Sequence, residues 1–311
     1  MNIWCSQEMK QKQIGVLAGG WSAEREVSLR TGQAVLQALT ASGYRAIMID
    51  PDRQLPRQLL DAGIDVAFIA LHGQGGEDGM VQGLLEVMQI PYTGSGVLAS
   101  SMAMNKIITK QLLLYHELPT PGFDYVKAGE TITDLLKRCR QLPAVVKPSC
   151  EGSTIGITIA RHPDELEEGI MAASKLNGAV LVEDYIAGDE LTVSVVNGRA
   201  LPIIQIVPQG GFYDYQAKYA SDSTRYLVPA PLEEAIAQQI QGVALRACRA
   251  LGCRGAARVD FMLSAGEFFC IEVNTIPGMT ATSLLPKAAA AAGISFEQLV
   301  EMMLLDAGLD K

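Results

Sequence analysis

The sequence predicts an α/β protein whose first third is built on a parallel sheet, and three observations carry that expectation. Short apolar runs at Ile14 to Ala18, Tyr44 to Ile49 and Val66 to Ala70 alternate with amphipathic stretches, the pattern of β-strands joined by helical crossovers. The first run ends at Gly19-Gly20, and Ser22-Ala23-Glu24-Arg25 then has the composition of a helix start leading to Leu39. Beyond Gly96 the pattern changes to a helical stretch and then to shorter strands, so we place a boundary there.

The elements follow in order. Val97 to Leu114 reads as helical, and Phe123 to Val126, Ala144 to Lys147, Ile155 to Ala160 and Val180 to Tyr185 read as strands. Leu191 to Val196 and Leu201 to Val207 form an expected hairpin around Asn197-Gly198, a pair suited to the left-handed geometry of a two-residue turn. Glu233 to Leu251 is a long helical pattern. Gly255 to Leu263 and Glu267 to Val273 are two strands about Ser264-Ala265-Gly266, and helices are expected to close the chain. The expected division is 1–96, 97–189 and 190–311, with no internal repeat at solenoid or propeller spacing.

Composition narrows the function classes. The 311 residues carry 25 basic and 34 acidic side chains, a net charge of −9, which argues against a nucleic-acid surface. The first thirteen residues lack a signal-peptide h-region and no apolar stretch is long enough to span a bilayer, so a cytoplasmic protein without a membrane partner is expected. Six cysteines lack CxxC spacing and three scattered histidines offer no zinc pattern, so free thiols are expected.

The chemistry-bearing residues concentrate late in the chain. In Arg258-Val259-Asp260 and Glu272-Val273-Asn274 the polar residues are two apart, so within each strand they share a face. If the strands pair, Asp260, Glu272 and Asn274 gather as oxygen ligands for Mg²⁺ on nucleotide phosphates, with Arg258 alongside. No GxxxxGK[ST] loop supplies cations, so Lys147, at the end of an apolar run, and the small-residue loop Glu151 to Gly156 are candidate phosphate contacts. Glu183 and Glu190 bracket the passage between the two later regions and are candidates for ribose hydroxyls. His72, after a buried run, heads a glycine-rich loop to Gly79. Gly94-Ser95-Gly96-Val97-Leu98-Ala99 satisfies a loose dinucleotide fingerprint, but a nicotinamide site leaves the downstream carboxylates without a role.

From Ile14 almost to the C-terminus these motifs, in order, resemble the D-alanyl-D-alanine ligases of the ATP-grasp superfamily. The resemblance rests on Gly19 to Ser28, Leu71 to Gly79, Pro91 to Gly96, Lys147-Pro148-Ser149 with Glu151-Gly152-Ser153, Phe212 to Tyr219, and Asn274 to Thr280. It implies a three-domain architecture, with ATP between the central and C-terminal domains, and a homodimer. The implied reaction joins two D-alanines through D-alanyl phosphate for peptidoglycan precursor synthesis. Lys106, Lys147, Glu183, Glu190 and Lys218 are the implied ATP contacts, and Asp260, Glu272 and Asn274 would hold two Mg²⁺ ions, with Mn²⁺ able to substitute.

By the same resemblance Glu24 pairs with the first D-alanine's ammonium, Ser153 and Tyr219 link it to a closing loop at Gln209 to Val228, and His72 lies near that substrate. Arg258 stabilises transition-state charge, and Ser283 with Leu284 receives the second D-alanine's carboxylate. Relatives favouring D-lactate tend to carry Phe where this chain has Tyr219, so D-alanine is the expected second substrate. A silent ATP-binding module would have lost some of these groups. The chain departs from the familiar pattern at Trp21, Asn105, Cys150, Gln216 and Ile276.

Overall fold

Parallel pairing organises the first third of the chain. The computed structural model describes residues 4–126, 130–139, 141–152, 156–176, 179–208 and 224–311. Strands β1 (Gln13–Leu17), β2 (Arg45–Ile49) and β3 (Val66–Ile69) form a parallel sheet in the order β2-β1-β3. After a short α1 (Ser6–Met9), the crossovers are α2 (Arg25–Ala41) and α3 (Leu55–Asp61). All of β3 and all but the first residue of β1 are buried, as expected of parallel strands covered on both faces. Gly32 allows α2 to lie close to the strand end, because a β-carbon there would stand 2.2 Å from that of Ala18.

The predicted helix from Val97 onward is two helices. After α4 (Met80–Val87), the chain forms α5 (Val97–Met104) and α6 (Lys106–Tyr115), separated at Asn105. Asn105 is extended (φ −88°, ψ 100°), and its side chain accepts hydrogen bonds from the amides of Ile107 (3.1 Å) and Ile108 (3.3 Å). An asparagine amide competes with the helical backbone and satisfies the next helix's orphan donors, so a continuous apolar pattern restarts there.

A central antiparallel sheet follows, in the order β4-β7-β5-β6: β4 (Phe123–Tyr125), β5 (Ala144–Pro148), β6 (Thr158–Ala160) and β7 (Val180–Asp184). Helices α7 (Ile132–Arg138) and α8 (Pro163–Ala173) pack Leu135, Leu166 and Ile170 against Val146 and Val182.

The last sheet runs β11-β10-β8-β12-β13, with β9 also on β8. Its strands are β8 (Asp189–Val196), β9 (Arg199–Ala200), β10 (Ile204–Val207), β11 (Arg225–Leu227), β12 (Ala256–Ser264) and β13 (Glu267–Asn274). The turn at Asn197-Gly198 has positive φ at both residues (47° and 76°), as its sequence predicts, but the returning strand comes in two pieces, β9 and β10. Helix α9 (Glu234–Ala250) covers one face with Ile240, Ala244 and Ala247 against Val193, Val259 and Phe261. The closing helices α10 (Leu284–Ala291) and α11 (Phe296–Leu304) return to the first sheet, where Leu285, Leu299 and Met303 share a core with Met9, Val16, Val35 and Phe68. No helix among the described residues is long and apolar enough to cross a membrane.

The cap at Asn105 should be measurable. Replacing it with Ala removes the acceptor for two amides at the start of α6, and urea denaturation should show a loss of about 1 kcal/mol with an unchanged m-value.

Candidate active site

The pairing of β12 with β13 places Arg258 opposite Asn274 and Asp260 opposite Glu272. Strict alternation would put Cys270 on the same face as Glu272. A register shift between Asp260 and Phe261 prevents this: beyond it Phe261 pairs with Cys270, and both are fully buried in the core beneath the sheet. The bulge lets β13 serve the core at Cys270 and the site at Glu272.

Two carboxylates directly opposite each other repel unless cations are near. Arg258 grips Asp260 with two bonds, Nε to Oδ1 at 2.8 Å and Nη2 to Oδ2 at 2.7 Å. Lys106 Nζ lies 3.8 Å from Glu272 Oε2, and the Asn274 amide donates to Asp260 Oδ2 at 3.2 Å. Thr192, opposite Asp260 on β8, donates its hydroxyl to Asp260 Oδ1 at 2.6 Å. Glu190 lies two residues before Thr192 and so shares this sheet face. The donor set of two carboxylates and a side-chain amide is all oxygen and suits a hard divalent cation whose remaining positions are filled by phosphate and water. Among the described residues no group of three His, Cys, Asp or Glu is placed to hold a metal ion, so the third protein donor of this set is the Asn274 amide oxygen.

A second charged group sits on the central sheet. The Glu183 carboxylate is buried between two ammonium groups, Lys147 and Lys110, with Lys110 Nζ at 2.9 Å. Burial alone pushes the Glu183 carboxyl up, but Lys147 and Lys110 outweigh it and hold the group below its ordinary value. Burial also pushes the Lys110 ammonium down, opposed by Glu183. Lys110 was not singled out from sequence, where it reads as one polar residue within a helix. The available signal was its spacing, because Lys106 and Lys110 are four apart and share one face of α6. Lys106 donates to the Glu151 carbonyl at 2.6 Å, and its own amide bonds to the Ser149 carbonyl at 2.9 Å, fastening α6 to the loop after β5.

The parallel sheet contributes the far wall. Ser28 in α2 donates to the Ala70 carbonyl and accepts from the Gly19 amide, both at 2.8 Å, so the first turn of α2 is tied to the ends of β1 and β3. Glu24 precedes that turn and is 8% exposed. A β-carbon on Gly73 would stand 2.7 Å from Glu24 Oε2 and one on Gly152 3.0 Å, so both glycines allow their loops to approach the carboxylate. His72 is buried with Nε2 3.1 Å from the Thr31 hydroxyl and Nδ1 3.1 Å from Glu77. A carboxylate only accepts, which assigns the Nδ1 proton to that bond. Glu77 was also missed, although it lies in the glycine-rich loop that His72 heads.

These walls converge. One cavity is lined by Glu24, His72, Glu77, Arg258, Glu272 and Asn274 together with Ser283 and Leu284. Ser283 is the N-cap of α10; its hydroxyl accepts from the Thr280 amide at 3.0 Å and makes no cap bond to the helix, whose first residue, Leu284, also lines the cavity. Lys106 borders an adjoining cavity with Glu151 and Glu272. The structure thus joins loops at the end of the parallel sheet to the face of β12 and β13 and to the Glu151-Gly152 loop after β5, whereas Lys147, Glu183, Glu190 and Asp260 line neither of these two cavities. Ser153, Lys218 and Tyr219 lie outside the described residues, as does most of the stretch from Gln209 to Val228.

Comparison with known proteins identifies the family. The family model for the D-Ala–D-Ala ligase C-terminus matches residues 116–305, and that for the N-terminus matches residues 51–95. The D-alanine–D-alanine ligase of Syntrophotalea carbinolica is 58% identical over 98% of this chain and 99% of its own. That of Citrifermentans bemidjiense is 47% identical over 97% and 98%. The crystal structure of the Bacillus anthracis D-alanine–D-alanine ligase complexed with ATP superposes with a TM-score of 0.82 at 36% identity, covering 94% of this chain and 96% of that one. With a parallel N-terminal sheet, two antiparallel sheets and sequence likeness along nearly its whole length, this chain belongs to the D-alanine–D-alanine ligase family and has its ATP-grasp architecture.

Proposed function

We infer that this protein is an ATP-dependent ligase that joins two D-alanines to D-alanyl-D-alanine, releasing ADP and phosphate, for peptidoglycan precursor synthesis. The observation that carries the reading is the single cavity shared by Glu24, Arg258, Glu272, Asn274, Ser283 and Leu284. It offers a carboxylate for one ammonium, a cation for developing negative charge, and a helix N-terminus for one carboxylate.

A carboxylate is a poor acyl donor because its oxygen is a poor leaving group. Transfer of the ATP γ-phosphoryl to the first D-alanine makes a mixed anhydride; the second amine then attacks its carbonyl carbon and phosphate departs. Glu24 orients the first D-alanine by its ammonium, beside the buried His72. Lys106 and Lys147 stand for the ATP phosphates, Glu190 for the ribose, and Glu183 holds both Lys147 and Lys110 in place. Arg258 stabilises the oxyanion of the second step, and Ser283 with Leu284 fixes the second D-alanine's carboxylate. Asp260, Glu272 and Asn274 would hold two Mg²⁺ ions, or Mn²⁺, which supply charge neutralisation on the phosphates. Ser153, Lys218 and Tyr219 are assigned by resemblance alone: Ser153 and Tyr219 beside the first substrate, Lys218 at the transferred phosphate, and Tyr219 favouring D-alanine over D-lactate.

We take the functional division of the chain as 1–96, 97–189 and 190–311. The protein is proposed to work in the cytoplasm, where ATP is supplied, and as a homodimer, which sedimentation would measure.

The direct test is ATP-dependent phosphate release with D-alanine, L-alanine, or D-alanine plus D-lactate, with products identified by mass spectrometry. D-Alanyl-D-alanine formed only with D-alanine and Mg²⁺ is expected; phosphate release without dipeptide would overturn the choice of nucleophile. Asp260→Ala and Glu272→Ala should each abolish turnover while circular dichroism stays unchanged, and ligation retained in both would remove the metal assignment. Glu183→Gln leaves two buried ammonium groups without a counter-charge, so neutral-pH stability should fall by about 3–5 kcal/mol. Because the folded-state carboxyl of Glu183 lies below its ordinary value, its contribution is present at neutral pH and lost as pH falls through that depressed value. The gap between wild type and Glu183→Gln in urea denaturation should therefore narrow in acid.

A further inference from the structure

Helix α9 ends in a turn that sets two cysteines side by side, away from the cavity described above. The Gly252 amide donates to the Arg249 carbonyl at 3.1 Å and the Cys253 amide to the Cys248 carbonyl at 2.8 Å, with Gly252 left-handed at φ 72°. These are the paired bonds of a Schellman ending, which folds the residue two past the cap onto the third-last helical residue and brings their side chains into contact. With Ala250 the last helical residue and Leu251 the cap, those two positions are Cys253 and Cys248. Most proteins place an apolar pair there. Here the pair is two thiols, both lining one cavity. A backbone bond closing six residues leaves the two α-carbons within roughly the 4.4–6.8 Å that a disulfide spans.

Both cysteines line a cavity of about 230 Å³ that also holds Arg249, Arg254 and Asp306, enough room for a small oxidant. Cys248 is buried and Cys253 is partly exposed. The thiols differ in acidity as well. The neighbouring Cys248 thiol holds the Cys253 thiol below its ordinary value despite burial, whereas the Cys253 neighbour and burial push Cys248 well up.

We propose that Cys248 and Cys253 form an oxidisable dithiol site whose substrate class is hydroperoxides, with Cys253 attacking and Cys248 resolving. The Cys253 thiolate attacks a peroxide oxygen; the S–O bond forms, the O–O bond breaks, and the displaced oxygen leaves as hydroxide or alkoxide and takes up a proton. Cys248 gives up its proton and attacks the Cys253 sulfur; the S–S bond forms, the S–O bond breaks and water leaves. The thiols lose two electrons and the peroxide gains them. No change in backbone connectivity is needed, because the helix ending already holds the pair together. The oxidised site neighbours the Gly94-Ser95-Gly96 loop: the Arg254 amide donates to the Ser95 hydroxyl at 3.1 Å, and a β-carbon on Gly255 would stand 3.1 Å from the Gly94 α-carbon.

The test treats the full-length folded protein with hydrogen peroxide, alkylates the remaining thiols and maps the peptides by mass spectrometry. The expected result is joint loss of alkylation at Cys248 and Cys253, with a linked peptide lighter by two hydrogens that dithiothreitol reverses. In Cys248→Ser, dimedone should label Cys253 as a trapped sulfenic acid; in Cys253→Ser, Cys248 should stay unlabelled. The proposal is overturned if both cysteines remain alkylatable in the wild type, or if Cys248 is labelled in Cys253→Ser. The wild-type map decides the question even where a variant fails to fold.

Discussion

The cross-strand meeting of Asp260 and Glu272 is the constraint around which the site is built. Two carboxylates held in direct register on a partly buried sheet cost free energy unless positive charge is supplied, and each surrounding element supplies some. Arg258 comes from the same strand, Lys106 from the start of α6, and the Asn274 amide from the partner strand. The position of Lys106 depends in turn on the break at Asn105, which ends one helix and begins the next. A continuous helix through this point would carry the ammonium elsewhere. The acidic pair therefore dictates where α6 starts, and α6 brings Lys110 to Glu183 in the central sheet.

Much of this was legible in the sequence because it rests on short-range rules. The two-residue spacing in Arg258-Val259-Asp260 and in Glu272-Val273-Asn274 fixed a shared face within each strand, and Asn197-Gly198 fixed a turn. What was not legible depends on distant partners. The bulge that separates Cys270 from Glu272 answers to how the core fills beneath the sheet, and nothing in residues 267–274 alone announces it. Lys110 reads as an ordinary helical lysine until Glu183 is placed beside it. The helical pattern from Val97 continued through Asn105 because hydrophobic periodicity does not register a side chain that caps. Ser153, Lys218 and Tyr219 were legible only through resemblance.

The cysteines illustrate the same limit from the other side. Their spacing excludes the familiar redox and metal motifs, and all six are free thiols. Yet Cys248 and Cys253 are neighbours because a helix ending, rather than a cysteine motif, sets their distance. Reading helix termini for the side chains they juxtapose therefore adds information that cysteine spacing by itself does not hold.

The return of α10 and α11 to the first sheet bears on how the protein is made. Met9, Val16, Val35 and Phe68 are synthesised long before Leu285, Leu299 and Met303, which complete their core. That core therefore stays incomplete until α10 and α11 have been made. The same late helices carry Ser283 and Leu284 at the N-terminus of α10. Completion of the first core and placement of the proposed contact for the second D-alanine thus depend on the same helices, so a chain truncated before α10 lacks both.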